Sequence, residues 1–525
     1  MTALWLMLAC TGEAVVSEAP SPVVTGPVTG DTLVVAVPFD PGNANPVVAP
    51  YALSGFYTQA TQPGLVERRI VDGNLTFVPA LAESWTWSED KLALTYVLHE
   101  GLTWSDGAPL TTEDVTFTFE LIFDEQVASN WYSARDRIRD IEVVDARTVT
   151  FHFTTPSTPL HLQGNTHFGI VPRHILENAD RASLRGHETS RTPLSSGPWI
   201  IESWSPEEKM VMVPNPNAVA HDVPRLNRVI TRVLPEYATR LIELQNGGVD
   251  MILSVEVADV ADLKKDYPNI TVLQSPADSM AYVGWNLKDP ALSDLRVRQA
   301  LTLAIDEDKI IADQYTAGDQ VYAQSCTGTV GPQMTGWYAE IEPLGYDPDR
   351  ARALLAEAGV SDLELDLMIQ NGIPRIEQAA VRIQAMLKDV GVTLNIAALE
   401  PNLFAASARK HDFQAMIWAF GNNPKVDPTI KWHTDGKYNW MQVSDPDIDR
   451  LLDEAMSTTD VELAQKNVRE VQQRVYDIQP ATFLYWEDNL AAIDGRFQDT
   501  AHNTFTMYES LESWWVPAAQ QKYAR

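Results

Sequence analysis

Apolar residues recur along the chain at strand spacing in some segments and at helix spacing in others, which predicts a protein that contains both strands and helices. An unbroken apolar run at Thr32–Val37 predicts a buried strand. Residues 92–98 and 148–153 alternate apolar and polar side chains, so we expect strands with one buried face. Between them, residues 111–115 carry an acidic pair that is typical of a helix start, because carboxylates favour the helix N-terminus.

In the second half of the chain, segments with helix spacing alternate with segments with strand spacing. Apolar residues at helical spacing predict one helix over residues 294–313. Further helices are predicted at 348–358 and 376–390, and strands at 363–369 and 392–397. This strand-helix-strand order predicts an α/β lobe.

Composition narrows the range of partners. The chain has 525 residues with 71 acidic and 39 basic side chains, a formal net charge of −32. Its 45 % hydrophobic content is ordinary for a globular protein, and its length suggests about three domains. Because so negative a surface repels phosphates, we expect no nucleic-acid partner. The two cysteines are too few for a disulfide framework.

The N-terminus is interpreted as an export signal, with a frayed N-terminal segment as the alternative. The apolar run at residues 3–9 is much shorter than the roughly 20 residues that a membrane-spanning helix needs, and it ends at Cys10 in the manner of a signal peptide. Residues 7–10 resemble a bacterial lipobox, which implies lipidation of Cys10. Residues 11–30 are rich in proline and small side chains, and are interpreted as a tether.

Most enzyme signatures are missing from the sequence. It has no His-Glu-x-x-His zinc motif, no Gly-x-Ser-x-Gly elbow and no phosphate-binding glycine loop. The pair His161 and His167 has no further ligand cluster nearby, and a calcium-loop pattern fails at Arg450. Glu113 and Asp114 allow an acid–base hydrolase or a simple helix start. We therefore predict no metal and no cofactor.

Short motifs in a fixed order resemble those of one family. They are PALAESW at 79–85, LTWSDGAPLTTEDV at 102–115, SGPW at 196–199, GGVD at 247–250, Asn286 with residues 294–306, YDP at 346–348, and YN at 438–439. The chain resembles the extracellular solute-binding proteins of family 5, which include the peptide- and nickel-binding components of bacterial ABC importers.

The resemblance implies an α/β fold of the periplasmic binding protein kind, type II and cluster C-like, with two lobes and an extra domain inserted in lobe I. The expected organisation is a signal peptide and tether at 1–30, lobe I at 31–57, 186–282 and 484–525, the inserted domain at 58–185, and lobe II at 283–483. Ligand is expected between the lobes, enclosed when the hinge closes.

The resemblance also implies where ligand is held. Peptide binders of the family anchor the peptide amino terminus with an aspartate in the loop after a lobe II strand, and here that position is Asn422. An amide lacks the charge-assisted bond that a carboxylate gives to an ammonium group. Asp427 is either a substitute anchor or an ordinary turn residue, while Trp418 and Asn423 suit a peptide or a sugar.

Three more residues are expected to line the cleft. Tyr51 lies in the first-lobe loop, and Trp285 with Asn286 opens lobe II. Packing is the alternative for Trp285, and a cap or turn is the alternative for Asn286. Nickel is disfavoured, because these positions include no histidine.

The sequence therefore predicts a non-enzymatic, monomeric substrate-binding lipoprotein of an ABC importer. It is expected at the periplasm or the outer face of the cytoplasmic membrane, anchored through Cys10, where it delivers an oligopeptide or similar polar solute to the permease. The alternatives are an oligosaccharide-binding protein of the same family and a secreted hydrolase.

Overall fold

The computed structural model describes residues 26–49, 53–71, 74–220, 222–276, 279–421, 427–501 and 510–523. Its strands are β1 Thr32–Val37, β2 Val66–Val71, β3 Asn74–Pro79, β4 Ala82–Trp87, β5 Ala93–Leu98, β6 Ile138–Val143, β7 Thr148–Phe153, β8 Trp199–Ser205, β9 Lys209–Pro214, β10 Arg228–Val233, β11 Met251–Leu253, β12 Ile270–Ser275, β13 Ser279–Trp285, β14 Thr316–Ala317, β15 Gln320–Val321, β16 Ala323–Ser325, β17 Glu364–Gln370, β18 Thr393–Leu399, β19 Ala415–Gly421, β20 Ala481–Glu487 and β21 Asn489–Asp494.

The α-helices are α1 Leu53–Thr61, α2 Thr112–Phe123, α3 Pro159–Gln163, α4 Arg173–Leu176, α5 Tyr237–Gln245, α6 Val257–Asp266, α7 Leu295–Leu303, α8 Glu307–Gln314, α9 Pro348–Glu357, α10 Pro374–Asp389, α11 Pro401–Lys410, α12 Thr429–Trp432, α13 Pro446–Ser457 and α14 Val461–Ile478. Short 3-10 helices occur at Tyr132–Asp136, Arg181–Gly186, Glu188–Ser190, Leu511–Ser513 and Ala518–Gln520. Within the described ranges, no helix has the length and apolar character needed to cross a bilayer.

A seven-stranded sheet forms the core of the first lobe, in the order β12-β21-β11-β1-β10-β9-β8. The apolar strand β1 is buried along its whole length, as expected for a central parallel strand. It runs parallel to β10 and β11. Since β21 is antiparallel to both β11 and β12, β12 runs in the direction of β1. The carboxyl ends of β1, β10, β11 and β12 therefore share one edge of the lobe I sheet.

A six-stranded sheet forms the core of the second lobe, in the order β16-β20-β13-β19-β17-β18. Strand β17 runs parallel to β18 and β19. Strand β13 runs antiparallel to both β19 and β20. The carboxyl ends of β17, β18, β19 and β20 therefore lie at one edge of the lobe II sheet, and β13 begins at that edge.

A four-stranded antiparallel sheet, β4-β5-β7-β6, packs with α2 around a separate apolar core in the inserted region. Helix α2 starts with a capping box, in which Asp114 accepts the N–H of Thr111 at 2.9 Å. Glu113 pairs with Arg173 at 2.8 Å on the surface. The acidic pair therefore serves as a helix start, which was one of its two predicted roles.

The chain passes between the two large sheets twice. It leaves lobe I between β12 and β13, and it returns between β20 and β21 through the single residue Asp488. Asp488 donates its N–H to the carbonyl oxygen of Tyr322 at 2.9 Å, and its carboxylate accepts a bond from Gln274 in β12. The two crossings are thus neighbours and form the hinge between the lobes.

The predicted α/β class is confirmed, and one element differs clearly. Residues 294–313 form two helices, α7 and α8, instead of one. Asp306 leaves the helical conformation and accepts the N–H of Lys309 at 2.8 Å, so it caps a new helix. The apolar spacing continues across this break, which is why periodicity alone predicted a single helix.

The predicted domain boundaries stay a prediction. Strand β13 begins at residue 279 and β20 ends at residue 487, so both strands of the lobe II sheet extend beyond the predicted 283–483.

A buried group of charges ties the ends of lobe I together. The guanidinium of Arg496 contacts Asp250 at 2.7 Å and Asp31 at 3.2 Å, and all three residues are buried. Asp31 also accepts the backbone N–H of Tyr523 at 3.0 Å. Burial disfavours the charged guanidinium, but the aspartates outweigh burial and raise the pKa of Arg496. The motif residue Asp250 therefore has a structural role.

We predict that Arg496→Met lowers the free energy of unfolding by about 3–5 kcal/mol, because it removes the guanidinium that pairs with the buried carboxylates of Asp31 and Asp250. The measurement is urea denaturation followed by circular dichroism. The matched control is Arg228→Met, whose pair with Glu202 is about half exposed and should contribute about 0–1 kcal/mol. Equal losses in the two variants would contradict this account of the buried group.

Candidate functional site

The carboxyl edges of the two sheets meet at the hinge. Strand β12 ends at Ser275 and β20 ends at Glu487, next to the two chain crossings. Strand β1 ends at Val37 on the lobe I edge, and β19 ends at Gly421 on the lobe II edge. Ligands of open α/β sheets bind beyond the carboxyl ends of the strands. The space between these edges, here called the cleft, is the candidate site.

An aromatic patch lies on lobe II around the middle of β19. We define it as Phe404, Trp418, Tyr438 and Trp440. Trp418 stacks on Phe404 with ring centroids 5.0 Å apart and planes 12° apart, and it meets Trp440 edge-on at 5.3 Å. Tyr438 meets Trp440 edge-on at 5.6 Å. Such contacts fix the ring of Trp418 in one orientation.

The indole nitrogens of Trp418 and Trp440 are buried, and neither has a hydrogen-bond acceptor among the residues that the structure describes. A buried donor left unpaired costs about 1–3 kcal/mol. Trp418 is only partly buried and lies in the strand that leads to the predicted anchor loop. An acceptor on a bound ligand, such as a peptide carbonyl oxygen, would satisfy this N–H.

The loop after β19 is described only from Asp427 onward. One carboxylate oxygen of Asp427 accepts the N–H of Thr429 at 3.0 Å, just before α12 begins. This is the geometry of an ordinary Asx turn, and ligand anchoring by Asp427 stays a prediction. Asn422 and Asn423 lie outside the described residues.

The loop after β1 contributes an aromatic side chain that sequence reasoning missed. Phe39 lies two residues after the end of the strand and is 55 % exposed. Tyr51, the predicted residue of this loop, lies outside the described residues. An aromatic side chain two positions after a buried parallel strand is the signal that identifies Phe39, because such positions face the carboxyl edge.

The structure places Trp285 and Asn286 away from the cleft. Trp285 ends β13 opposite Ala415, the first residue of β19, so it lies at the other edge of the lobe II sheet. Its side chain is fully buried, and its indole N–H bonds Thr482 at 3.2 Å. Asn286 uses its amide to hold the carbonyl oxygens of His411 and Phe413. This corrects the expectation that they line the cleft, because β13 runs antiparallel to its neighbours.

Charged side chains from both lobes gather at the hinge. Arg375, in the first turn of α10, contacts Glu487 at 2.9 Å. Burial works against the charged guanidinium, but Glu487 outweighs it and raises the pKa of Arg375. Glu256 of lobe I is close enough to Arg375 to interact with it, yet burial dominates and raises the pKa of Glu256 above its ordinary value. Glu256 therefore lies within electrostatic reach of charged side chains on lobe II.

Two remaining predictions concern lipid and metal. Cys10 lies outside the described residues. Over the part of the chain that the structure describes, no group of three or more histidine, cysteine, aspartate or glutamate side chains has the geometry to hold a metal ion.

The chain belongs to a family of solute-binding proteins. It matches the model of the bacterial extracellular solute-binding proteins, family 5, over residues 76–442. This confirms the resemblance drawn from the motifs. Members of the family bind solutes outside the cytoplasm.

Related proteins align with most of the chain. Oligopeptide-binding protein AppA of Bacillus subtilis is 25% identical over 468 residues, which is 85% of this chain and 84% of that protein. Heme-binding protein A of Haemophilus influenzae is 28% identical over 446 residues, covering 79% of this chain and 80% of that protein.

Solved structures confirm the two-lobe fold. The ABC transporter substrate-binding protein CtaP of Listeria monocytogenes is 25% identical with a TM-score of 0.84, covering 93% of this chain and 100% of that chain. AppA of Bacillus subtilis, in complex with a nonapeptide, is 23% identical with a TM-score of 0.80, covering 94% of this chain and 100% of that chain.

We predict that Glu256→Gln raises the melting temperature at about pH 7.5 and has little effect at about pH 4. The raised pKa means that the folded protein holds this proton more tightly than the unfolded chain does. The ionised carboxylate therefore destabilises the fold once the pH exceeds the folded pKa, and glutamine removes that cost. Below the unfolded pKa both side chains are neutral and the difference disappears.

The measurement is differential scanning fluorimetry across this pH range, with the exposed Glu120→Gln on α2 as control. A gain of equal size at both pH values, or a loss at pH 7.5, would contradict the burial of Glu256 as its cause.

Proposed function

We propose that this chain is the substrate-binding component of an ABC importer and that it captures an oligopeptide or similar polar solute in the cleft. The observation that carries the proposal is the buried indole N–H of Trp418 in β19, which has no acceptor among the described residues and is held by stacked aromatic rings. Membership of the solute-binding family and the likeness to peptide-binding relatives support a peptide ligand.

The hinge gives this function a mechanism. A ligand that contacts both lobes is bound more tightly in the closed state, and this difference in affinity is what shifts the lobes towards closure. Phe39 extends from the lobe I edge and Trp418 lies in the lobe II wall, so one ligand can contact both when the lobes close. The membrane permease would then receive the closed form.

The chain acts by stoichiometric binding in this proposal, and not as an enzyme. The acidic pair considered for hydrolysis caps and flanks α2 and does not lie across a reacting bond. We also propose that Cys10 is lipidated and holds the protein at the outer face of the cytoplasmic membrane. Intact mass of the protein from its own cells, before and after Cys10→Ser, tests this part.

The ligand itself is identified by native mass spectrometry of the protein purified from its own cells without the Cys10 anchor. We expect adducts whose mass differences correspond to amino-acid residues. Hexose or pentose differences would replace the peptide by an oligosaccharide, and turnover of a bound peptide would favour the hydrolase.

We predict that Trp418→Phe weakens ligand affinity about fivefold to tenfold, because phenylalanine keeps an aromatic ring but removes the N–H donor. Calorimetric titration measures the affinity. The matched control is Trp285→Phe, whose N–H bonds Thr482 at the opposite sheet edge, and its affinity should stay unchanged. If only the control variant loses affinity, the aromatic patch is not the ligand wall.

We also predict that acetylating the amino terminus of the bound peptide changes its affinity less than about threefold. The predicted anchor position is an asparagine, which gains no charge-assisted bond to an ammonium group. A loss of a hundredfold or more that Asp427→Asn reproduces with the free peptide would instead identify Asp427 as the anchor.

A further inference from the structure

The inserted region is attached firmly to lobe I. Ser195 donates its hydroxyl to the carbonyl oxygen of Thr61 at 2.7 Å, and the N–H of Gly197 reaches the same oxygen at 2.9 Å. A Cβ at Gly197 would collide with the carbonyl oxygen of Ala60, so this approach requires glycine. Ser105 of the inserted region donates its N–H to Ser195 at 2.8 Å. Lobe I and the inserted region therefore move together when the hinge opens.

The inserted region also reaches across to lobe II. Leu75 in β3 and Leu160 in α3 pack against an apolar cluster of lobe II. The members of this cluster are Val330, Met334, Trp337, Ala455, Met456, Ala464 and Val468. Next to it, Arg137 donates a hydrogen bond to the carbonyl oxygen of Met456 at 3.3 Å. We call these contacts of Leu75, Leu160 and Arg137 with the cluster the clasp.

The clasp is broken when the cleft opens. Its two sides belong to the two bodies that the hinge connects, so rotation about the hinge separates them. Opening exposes apolar surface of Leu75 and Met334 to water, which is unfavourable. It also removes the partner of the Met456 carbonyl. None of these groups belongs to the aromatic patch around Trp418.

We propose that the clasp determines ligand affinity from outside the ligand-binding site, by stabilising the closed state before ligand arrives. This inference rests on the proposed function, in which ligand binds tightly only in the closed state. Apparent affinity then scales with the closed fraction of the free protein. Weakening the clasp lowers that fraction, so ligand dissociates faster although every ligand contact is intact.

The clasp is tested with Leu75→Ser and Arg137→Ala. Leu75 touches the cluster without belonging to the core of the inserted sheet, so its replacement spares that core. Exposed apolar residues provide matched controls, Ile175→Ser in the inserted region and Val381→Ser in lobe II, which are 38% and 59% exposed. Thermal unfolding establishes that each variant is folded.

The first readout needs no ligand. Small-angle X-ray scattering of the ligand-free proteins should give a larger radius of gyration for Leu75→Ser than for the wild type and both controls. A wild type that scatters as an open form, unchanged by Leu75→Ser, would overturn the clasp whatever the ligand is.

The second readout is the affinity and dissociation rate for the solute identified by mass spectrometry, followed by tryptophan fluorescence in stopped flow. We expect Leu75→Ser to weaken affinity roughly tenfold, equivalent to about 1.4 kcal/mol, with Arg137→Ala showing a smaller loss in the same direction. Controls should match the wild type. Unchanged affinity in both clasp variants overturns the proposal, whereas a protein that binds no solute overturns only the proposed function.

Discussion

The structure depends on one constraint, which is that the chain crosses between the lobes at two neighbouring places. Both crossings lie at the carboxyl edges of the sheets, and Asp488 joins them through bonds to Tyr322 and Gln274. Two short connections permit rotation with few changes of backbone angle, while the sheets move as rigid bodies. The same placement brings the loops that follow the parallel strands to one space. Hinge and ligand site are therefore consequences of a single topology.

The fold could be predicted because the recognisable motifs hold the backbone in place. Asp250 accepts the N–H of Val34 and pairs with Arg496. The motif residue Arg298 is buried and binds the carbonyl oxygens of Leu292 and Gln479. Asp347 caps α9 by accepting the N–H of Arg350. Such residues stabilise the fold whichever ligand is bound. Their order along a sequence therefore predicts the fold but does not identify the solute.

The candidate site was harder to predict from the sequence than the fold was, and Trp418 and Trp285 show why. Trp418 and Trp285 both lie in apolar strands of the same sheet, and composition treats them alike. Their positions differ because β13 and β19 run in opposite directions, which puts Trp285 at the far edge of the sheet and Trp418 at its middle, closer to the cleft. Strand direction follows from long-range pairing, and local periodicity carries no information about it. Phe39 was missed for a related reason, because a single aromatic residue after a strand forms no repeating pattern that a sequence analysis could detect.

The clasp also depends on long-range contacts that local sequence patterns do not show. Leu75 and Met334 are separated by more than two hundred residues, and each reads as an ordinary apolar position within its own segment. Only the placement of the inserted region against α13 and α14 brings them to one surface. Contacts between two rigid bodies depend on how the hinge orients them and on the shapes of their surfaces. They can therefore be identified only in the folded structure.

The convergence of both chain ends on Asp31 has a mechanical consequence. Its carboxylate holds the backbone N–H groups of Lys522 and Tyr523, while its own backbone leads into β1. A pull on the chain before residue 26 is thus resisted within lobe I, about 20 Å from the carboxyl end of β1. Tension from a surface attachment at the N-terminus would therefore load this end of the lobe I sheet. Such a load would not act directly on the two crossings that join the lobes.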